Sequence, residues 1–286
     1  MFPPIDTKSV TAVAEAVRAI MVATFPGASR QVVDRLFADV EAMFTGHYLD
    51  YQAIDLGYHD FEHTLQATLC FARLFAARHG AHAEPVLSVR HFELGLAAAL
   101  LHDTGYLKLR SDRAGTCAKY THVHVLRSCG FAASYLPTVG FTIRDTEIVT
   151  GAIRCTGPVS KLARLYFNAR ADQLLGCIMV TADYLGQMAA ADYPDELEML
   201  YHEFRESDEF FHLSPDHYAF RSARELIEKT PDFWTTFVRP KLEKDFEGVF
   251  RFLASPYPDG PNPYVDAIEH NIALVRTRIA AGTIPG

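Results

Sequence analysis

Residues 96–106 read LAAALLHDTGY. Six apolar residues run without interruption into an ionisable pair, His102 and Asp103, and Gly105 follows two residues later. Alanine and leucine favour helix, so the run predicts a helix at the centre of the fold. Carrying His102 and Asp103 into an apolar interior is costly unless the charge is paired or coordinates a metal. Adjacent residues on a helix diverge by about 100°, but at a last turn two side chains can converge on an ion beyond the helix end. Gly105 supplies that end. The plainer alternative, a His to Asp hydrogen bond with a capping role, accounts for this pair and for nothing else in the chain.

Outward from this stretch the same helical period dominates. Alanine, leucine and phenylalanine recur at steps of three and four, and alternating β-branched runs are almost absent, so the fold class is all-α. Helices are expected near 8–24, 29–47, 61–79, 87–103, 118–136, 144–153, 168–190, 194–206, 217–229, 231–254 and 263–281. Thr230 before Pro231 and Asn262 before Pro263 place a capping side chain ahead of a first-turn proline, while Gly80 and Gly105 mark helix ends. No long-period repeat appears. The stretch SPYPDGPNP, 255–263, reads as a rigid connector to a last helix that docks through Ile268, Ile272, Leu274, Val275 and Ile279. The 286 residues read as one all-helical domain: a core over about 55–190, with helices of 8–47 and 194–281 packed around it.

Composition sets limits. Apolar residues make up 49% and charged residues 22% of the chain, which suits a globular core. A net charge of −8 opposes polyanions at long range, against binding of extended nucleic acid or an acidic membrane, although a small anion can still bind locally. The five cysteines, Cys70, Cys117, Cys129, Cys155 and Cys177, are odd in number, lack C-x-x-C spacing and read as reduced core thiols. The amino terminus has no signal-peptide pattern and no apolar membrane span is evident, so the cytoplasm is the expected location.

Three further segments bear on chemistry. YHDFEH, 58–63, brings His59 and His63 four residues apart at the start of a helix whose continuation, LQATLCFARLFAARHG, is apolar around most of its circumference, turning His63 toward protein. QLLGCIMVTADYLGQM, 173–188, carries one mid-helix carboxylate, Asp183, among Ile178, Met179, Val180, Ala182 and Leu185. A buried carboxylate either becomes neutral or binds a cation, and two histidines with two aspartates suit a divalent ion. THVHVLRSCGF, 121–131, holds His122 and His124, of which at most one points inward if the stretch is helical; His124 is favoured.

A cationic exception follows the His102–Asp103 pair. LKLRSDRAGTCAKY, 107–120, gathers Lys108, Arg110, Arg113 and Lys119 against Asp112 alone, and is expected to face phosphate oxygens. Arg154, in AIRCTG, is another candidate phosphate contact; a solvated loop is the competing reading for each of these residues.

The ordered set His63, His102 with Asp103, and Asp183 resembles the HD-domain metal-dependent phosphohydrolase superfamily over about residues 55–190. YHDFEH is similar to the YHNxxH opening of cyclic-nucleotide phosphodiesterases, and HVLRS and AIRCTG resemble later blocks of HD proteins. The resemblance implies that His63, His102, Asp103 and Asp183 hold a divalent ion, manganese, iron, magnesium or zinc, and that Asp103 can bridge to a second ion. It makes His59 the general acid, with Asp60 a candidate to orient it, and implies a small phosphorylated substrate such as a nucleotide. The sequence departs from the phosphodiesterase pattern at Tyr106, where those enzymes have histidine, and at Asp60, which replaces asparagine. Two alternatives remain: an HD-fold di-iron oxygenase using His122 and His124 as extra ligands, and a non-catalytic nucleotide-binding module.

Overall fold

The computed structural model describes residues 2–157 and 162–285, and every regular element among them is helical. Local side chains set where the helices begin. Asp60 caps α3 (Phe61–Gly80), its carboxylate accepting the amide of His63 at 2.9 Å. Ser88 and His91 close a reciprocal capping box on α4 (Val89–Leu101), and Thr142 with Asp145 closes another on α6 (Ile143–Arg154).

The two amino-terminal helices, α1 (Val10–Thr24) and α2 (Gln31–Phe44), lie against α3 and α4 respectively. Phe71 and Phe75 of α3, Phe92 of α4 and Phe25 just beyond α1 make one aromatic cluster, with ring centroids 5.2–6.4 Å apart. α3 packs most extensively on α7 (Arg170–Met188). Their backbones nearly touch at Gly186, where a Cβ would lie 2.8 Å from the Ala67 nitrogen, so only glycine permits this approach. α4 runs through the middle, with Leu96 to Leu101 fully buried.

Several boundaries differ from the sequence expectation. The helix expected at 118–136 is a 3₁₀ turn, Cys117–Tyr120, followed by α5 (His124–Tyr135). Thr116 caps the turn and is tied through its amide and hydroxyl to Glu206 of α8 (Tyr193–Phe210), which pulls the chain away from the helical path. The expected helix at 217–229 starts later, as α9 (Ala223–Asp232), capped by Ser222. Thr230 and Pro231 do not begin a helix. Thr230 turns its hydroxyl back onto the Leu226 carbonyl, Pro231 sits inside α9, and the chain continues into wide π-type turns at Phe233–Val238 and Lys241–Asp245. Proline lacks the amide that would close the preceding turn, and the wider turns accommodate that loss.

Asn262 behaves as expected: its side chain accepts the amides of Tyr264 and Val265 at the head of α10 (Pro263–Ala281). Ile268, Ile272 and Val275 are buried, and Asn271 donates to the carbonyls of Met188 and Ala190, fastening α10 to the end of α7. One hydrophobic core runs from Val13 to Ile284. All five cysteines are free and buried, and no single helix among the described residues is long and apolar enough to cross a membrane.

Candidate metal centre

α4 ends at Leu101, making His102 its C-cap, and Asp103 leads into a tight turn, Thr104–Tyr106. The two side chains therefore leave the helix end together. What holds the turn is the start of α5: a Cβ on Gly105 would lie 1.9 Å from the His124 carbonyl oxygen. Gly105 is thus required for close approach rather than for stopping α4. Its amide donates to Ser128 Oγ, and Arg127 clasps the Gly105 and Leu107 carbonyls.

Beyond the end of α4, four side chains from three helices meet. His63 Nε2 and His102 Nε2 are 3.3 Å apart, and each lies 3.3 Å from Asp103 Oδ2 and 3.4 Å from Asp183 Oδ1. His63, His102 and Asp103 are buried, while Asp183, His59 and His124 keep 14–15% of their side-chain surface exposed, so the cluster opens to solvent on their side.

The protons are largely assigned by neighbours. His102 Nδ1 lies 2.8 Å from the Ala99 carbonyl, which can only accept, so Nδ1 carries the hydrogen and Nε2 of the neutral ring turns a lone pair into the cluster. Asp103 Oδ2 faces both histidines and has no hydrogen-bond partner. Burial disfavours charge on either ring, but Asp103 and Asp183 together raise His63 to about 10, and the same carboxylates hold His102 above the ordinary imidazole value. Against the same burial, the histidines keep both carboxyls well below their usual range. A buried carboxylate and a largely covered one thus call for positive charge at one point, supplied either by protons on the imidazoles or by a cation.

The donor set fits a divalent ion. Ligand bonds of about 2.0–2.2 Å place neighbouring donor atoms roughly 3.0–3.5 Å apart in tetrahedral or octahedral sites, matching the 3.3–3.4 Å contacts. His63, His102 and Asp103 form a buried group able to hold a metal ion. The fit is incomplete in one respect: His102 secures its second nitrogen as ligating histidines usually do, whereas His63 Nδ1 is buried without a partner.

His59 precedes the capped helix, and its ring lies 5.5 Å from that of His63. Asp60 does not orient it, because that carboxylate is engaged in capping α3. Glu203, on α8, does: Oε2 takes His59 Nδ1 at 2.5 Å, while Oε1 accepts the amides of Tyr58 and His59. Tyr106 is fully buried, stacks on His124 and His59 at centroid distances of 4.7 and 5.0 Å, and sets its hydroxyl 3.2 Å from His59 Nδ1. His124 donates from Nδ1 to the Thr121 carbonyl, and burial shifts the ring below the ordinary imidazole value against the pull of Asp103; Nε2 lies 3.7 Å from Asp103 Oδ1, the oxygen not facing His63 and His102.

Other sequence candidates lie elsewhere. His122 is at the surface, paired with Asp208 at 2.6 Å, and does not join His124 in the cluster. In the basic segment the two lysines turn inward while the two arginines stay at the surface. Lys108 is buried and donates to the Gly115 carbonyl, Lys119 is buried against Asp112 and the Ala114 carbonyl, and Arg110 reaches the Gly46 carbonyl. Burying a lysine ammonium demands such partners, which removes it from substrate. Arg113 is exposed. Arg154 lines a surface cleft with Leu126, Cys129 and Ile143, apart from the four converging side chains.

Sequence reasoning missed Glu203. It stands in the charge-rich YHEFRESDEFF, where a carboxylate reads as solvated, yet it follows buried Leu197 and half-buried Leu200 at helical steps, the one signal that it faces inward. No protein-family model matches the chain, and no curated protein matches it.

Proposed function

We propose that this chain is a metal-dependent phosphohydrolase of the HD type, cleaving a phosphate ester of a nucleotide or similar small molecule. The observation that carries the reading is the convergence of His63, His102, Asp103 and Asp183 at 3.3–3.4 Å around an unpartnered carboxylate oxygen, beside a histidine held by its own carboxylate.

His63, His102, Asp103 and Asp183 would hold the ion, and a bound divalent ion activates water for attack and neutralises charge on a phosphoryl oxygen. The protein's own part lies in its proton handling. Glu203 fixes the Nδ1 edge of His59, leaving Nε2 to carry the proton that a leaving alkoxide requires. Tyr106 packs against both His59 and His124, which also touch each other, so the three rings support one another's positions. His124 Nε2, with its lone pair toward Asp103 Oδ1, offers a second donor edge should a second ion bind.

The test is metal analysis of the purified protein beside His102→Ala and Asp183→Ala, with hydrolysis of bis(p-nitrophenyl) phosphate and cyclic nucleotides assayed after reloading with manganese, iron, magnesium or zinc. Stoichiometric metal lost in both variants, with metal-dependent hydrolysis, supports the reading. Absence of metal, or retention in both variants, rejects it. Bound iron with oxygen uptake and no hydrolysis would replace it with oxygenase chemistry, for which His124 but not His122 is in place.

A further inference from the structure

A second cavity lies behind the turn that follows Asp103. It has a volume of about 400 Å³ and is floored by Thr104, Gly105 and Leu107; none of the four converging side chains lines it. That volume suits a small organic ligand rather than a few waters.

Its walls are aromatic. Tyr48 and Tyr51 lie near-parallel at 6.5 Å, Phe131 and Tyr135 near-parallel at 6.2 Å, and Tyr51 meets Phe131 edge-on at 5.7 Å. Tyr48 also packs 6.1 Å from Phe131 and 6.2 Å from Tyr135, so the four rings form one continuous aromatic wall against which a flat ring can stack. At the rim, Leu49 adopts a left-handed backbone (φ 46°) and leaves its side chain 76% exposed. A leucine in that conformation is strained, and its exposure removes the burial that would ordinarily offset the strain; such residues gather at ligand-holding positions.

The cavity also contains a cation. Arg127 donates to the Gly105 and Leu107 carbonyls and stacks over Tyr120 at 3.6 Å, and it pairs with no carboxylate among the described residues. The acid beside Tyr135, Asp39, is already engaged by Tyr135 and Arg35. Arg127 lines the cavity and its charge is held by neutral partners alone, which favours an anion beside it.

We infer that this cavity is a binding site, separate from the metal centre, for a flat aromatic ring bearing an anionic group. Aromatic carboxylates and the base and phosphate of a nucleotide share this chemistry.

The experiment is calorimetric titration of the whole protein with 2-naphthoate and with its neutral isostere 2-naphthylmethanol, repeated on Ser134→Trp. Ser134 lies on the exposed side of α5 and lines the cavity; its hydroxyl bonds only the Gly130 carbonyl, so tryptophan there fills the space without touching the core. Expected are one naphthoate site per chain, at least tenfold weaker binding of the alcohol, and at least tenfold weaker naphthoate binding by Ser134→Trp, with its thermal midpoint confirming that it folds. Equal affinity for acid and alcohol overturns the assignment of an anion and with it the proposal. Unchanged naphthoate binding in Ser134→Trp, or none in the wild type, overturns the site. Where naphthoate binds, competition by AMP for the same site identifies the nucleotide as the source of the shared chemistry, and no competition leaves the aromatic carboxylate as that source.

Discussion

Replacing Glu203 by glutamine separates the orientation of His59 from everything else Glu203 does. The amide oxygen can still accept the amides of Tyr58 and His59, so the loop before α3 keeps both bonds and the stability change should stay within about 1–3 kcal/mol. The other oxygen, now an NH₂, faces His59 Nδ1 with a donor where an acceptor stood. His59 must then present a lone pair at Nδ1 or abandon the contact, and an imidazolium in that place loses its counter-charge. Loss of the carboxylate behind a catalytic histidine costs about 10⁴ in serine proteases through the wrong tautomer, and general-acid assistance as a whole is worth about 10²–10⁴. We expect kcat on an alkyl phosphodiester to fall by about 10²–10⁴, which is roughly 3–5 kcal/mol of barrier. A p-nitrophenyl ester departs as a stable anion and needs little protonation, so its loss should stay below about tenfold. Glu203 touches none of the four proposed ligands, and metal content should remain at the wild-type value. Parallel steady-state kinetics on the two esters, with metal analysis of the same samples, decides the matter. An equal loss on both esters, or a loss of metal, would refute the assignment of His59 as acid and Glu203 as its positioning residue.

With His63 raised to about 10 in the metal-free cluster, an ion must displace a proton, so apparent metal affinity should climb about tenfold per pH unit between roughly pH 7 and 9, measured by competition with a chromogenic chelator. The same raised value means that the protonated ring's contribution to stability is complete below about pH 6.5 and disappears as pH rises toward 10. Chelated protein should therefore lose thermal midpoint above pH 7 relative to metal-loaded protein, and parallel melting curves would contradict this. Gly105→Ala would drive a methyl against the backbone of His124 and Ser128, which no side-chain rotation can relieve; a loss of about 2–3 kcal/mol in urea unfolding is expected. Asn271→Leu takes the side-chain donor from the Met188 carbonyl and one of two donors from the Ala190 carbonyl, which keeps the Tyr193 amide, and should cost about 1–3 kcal/mol, checked the same way.

The helical class was legible because it rests on local rules. Six apolar residues before His102 predict a buried helix wherever it lies, and Asn262 before Pro263 caps a helix irrespective of its neighbours. Thr230 before Pro231 carries the same local signal and gives a different outcome, because the hydroxyl finds the Leu226 carbonyl and tertiary packing carries the chain through the proline. A dipeptide cannot report which carbonyl its side chain will meet.

The same distinction divides the site. His102 and Asp103 could be read because burial of their helix was visible around them, and Asp183 because it was the one acid in the apolar stretch 173–188 of α7. Lys108 and Lys119 misled for the complementary reason: a cluster of cations suggests solvent or substrate, but both ammonium groups are buried against acceptors of their own loop, Asp112 included. Glu203 failed in the opposite direction, an inward carboxylate concealed in a charged segment 144 residues from the histidine it holds. Periodicity reports which face of a helix is buried but not which partner waits there, so neither the loop acceptors of the two lysines nor the histidine held by Glu203 could be read from it. The assignment of His59 as acid therefore rests on its long-range contact with Glu203, and the Glu203→Gln comparison probes the contact that the sequence least disclosed.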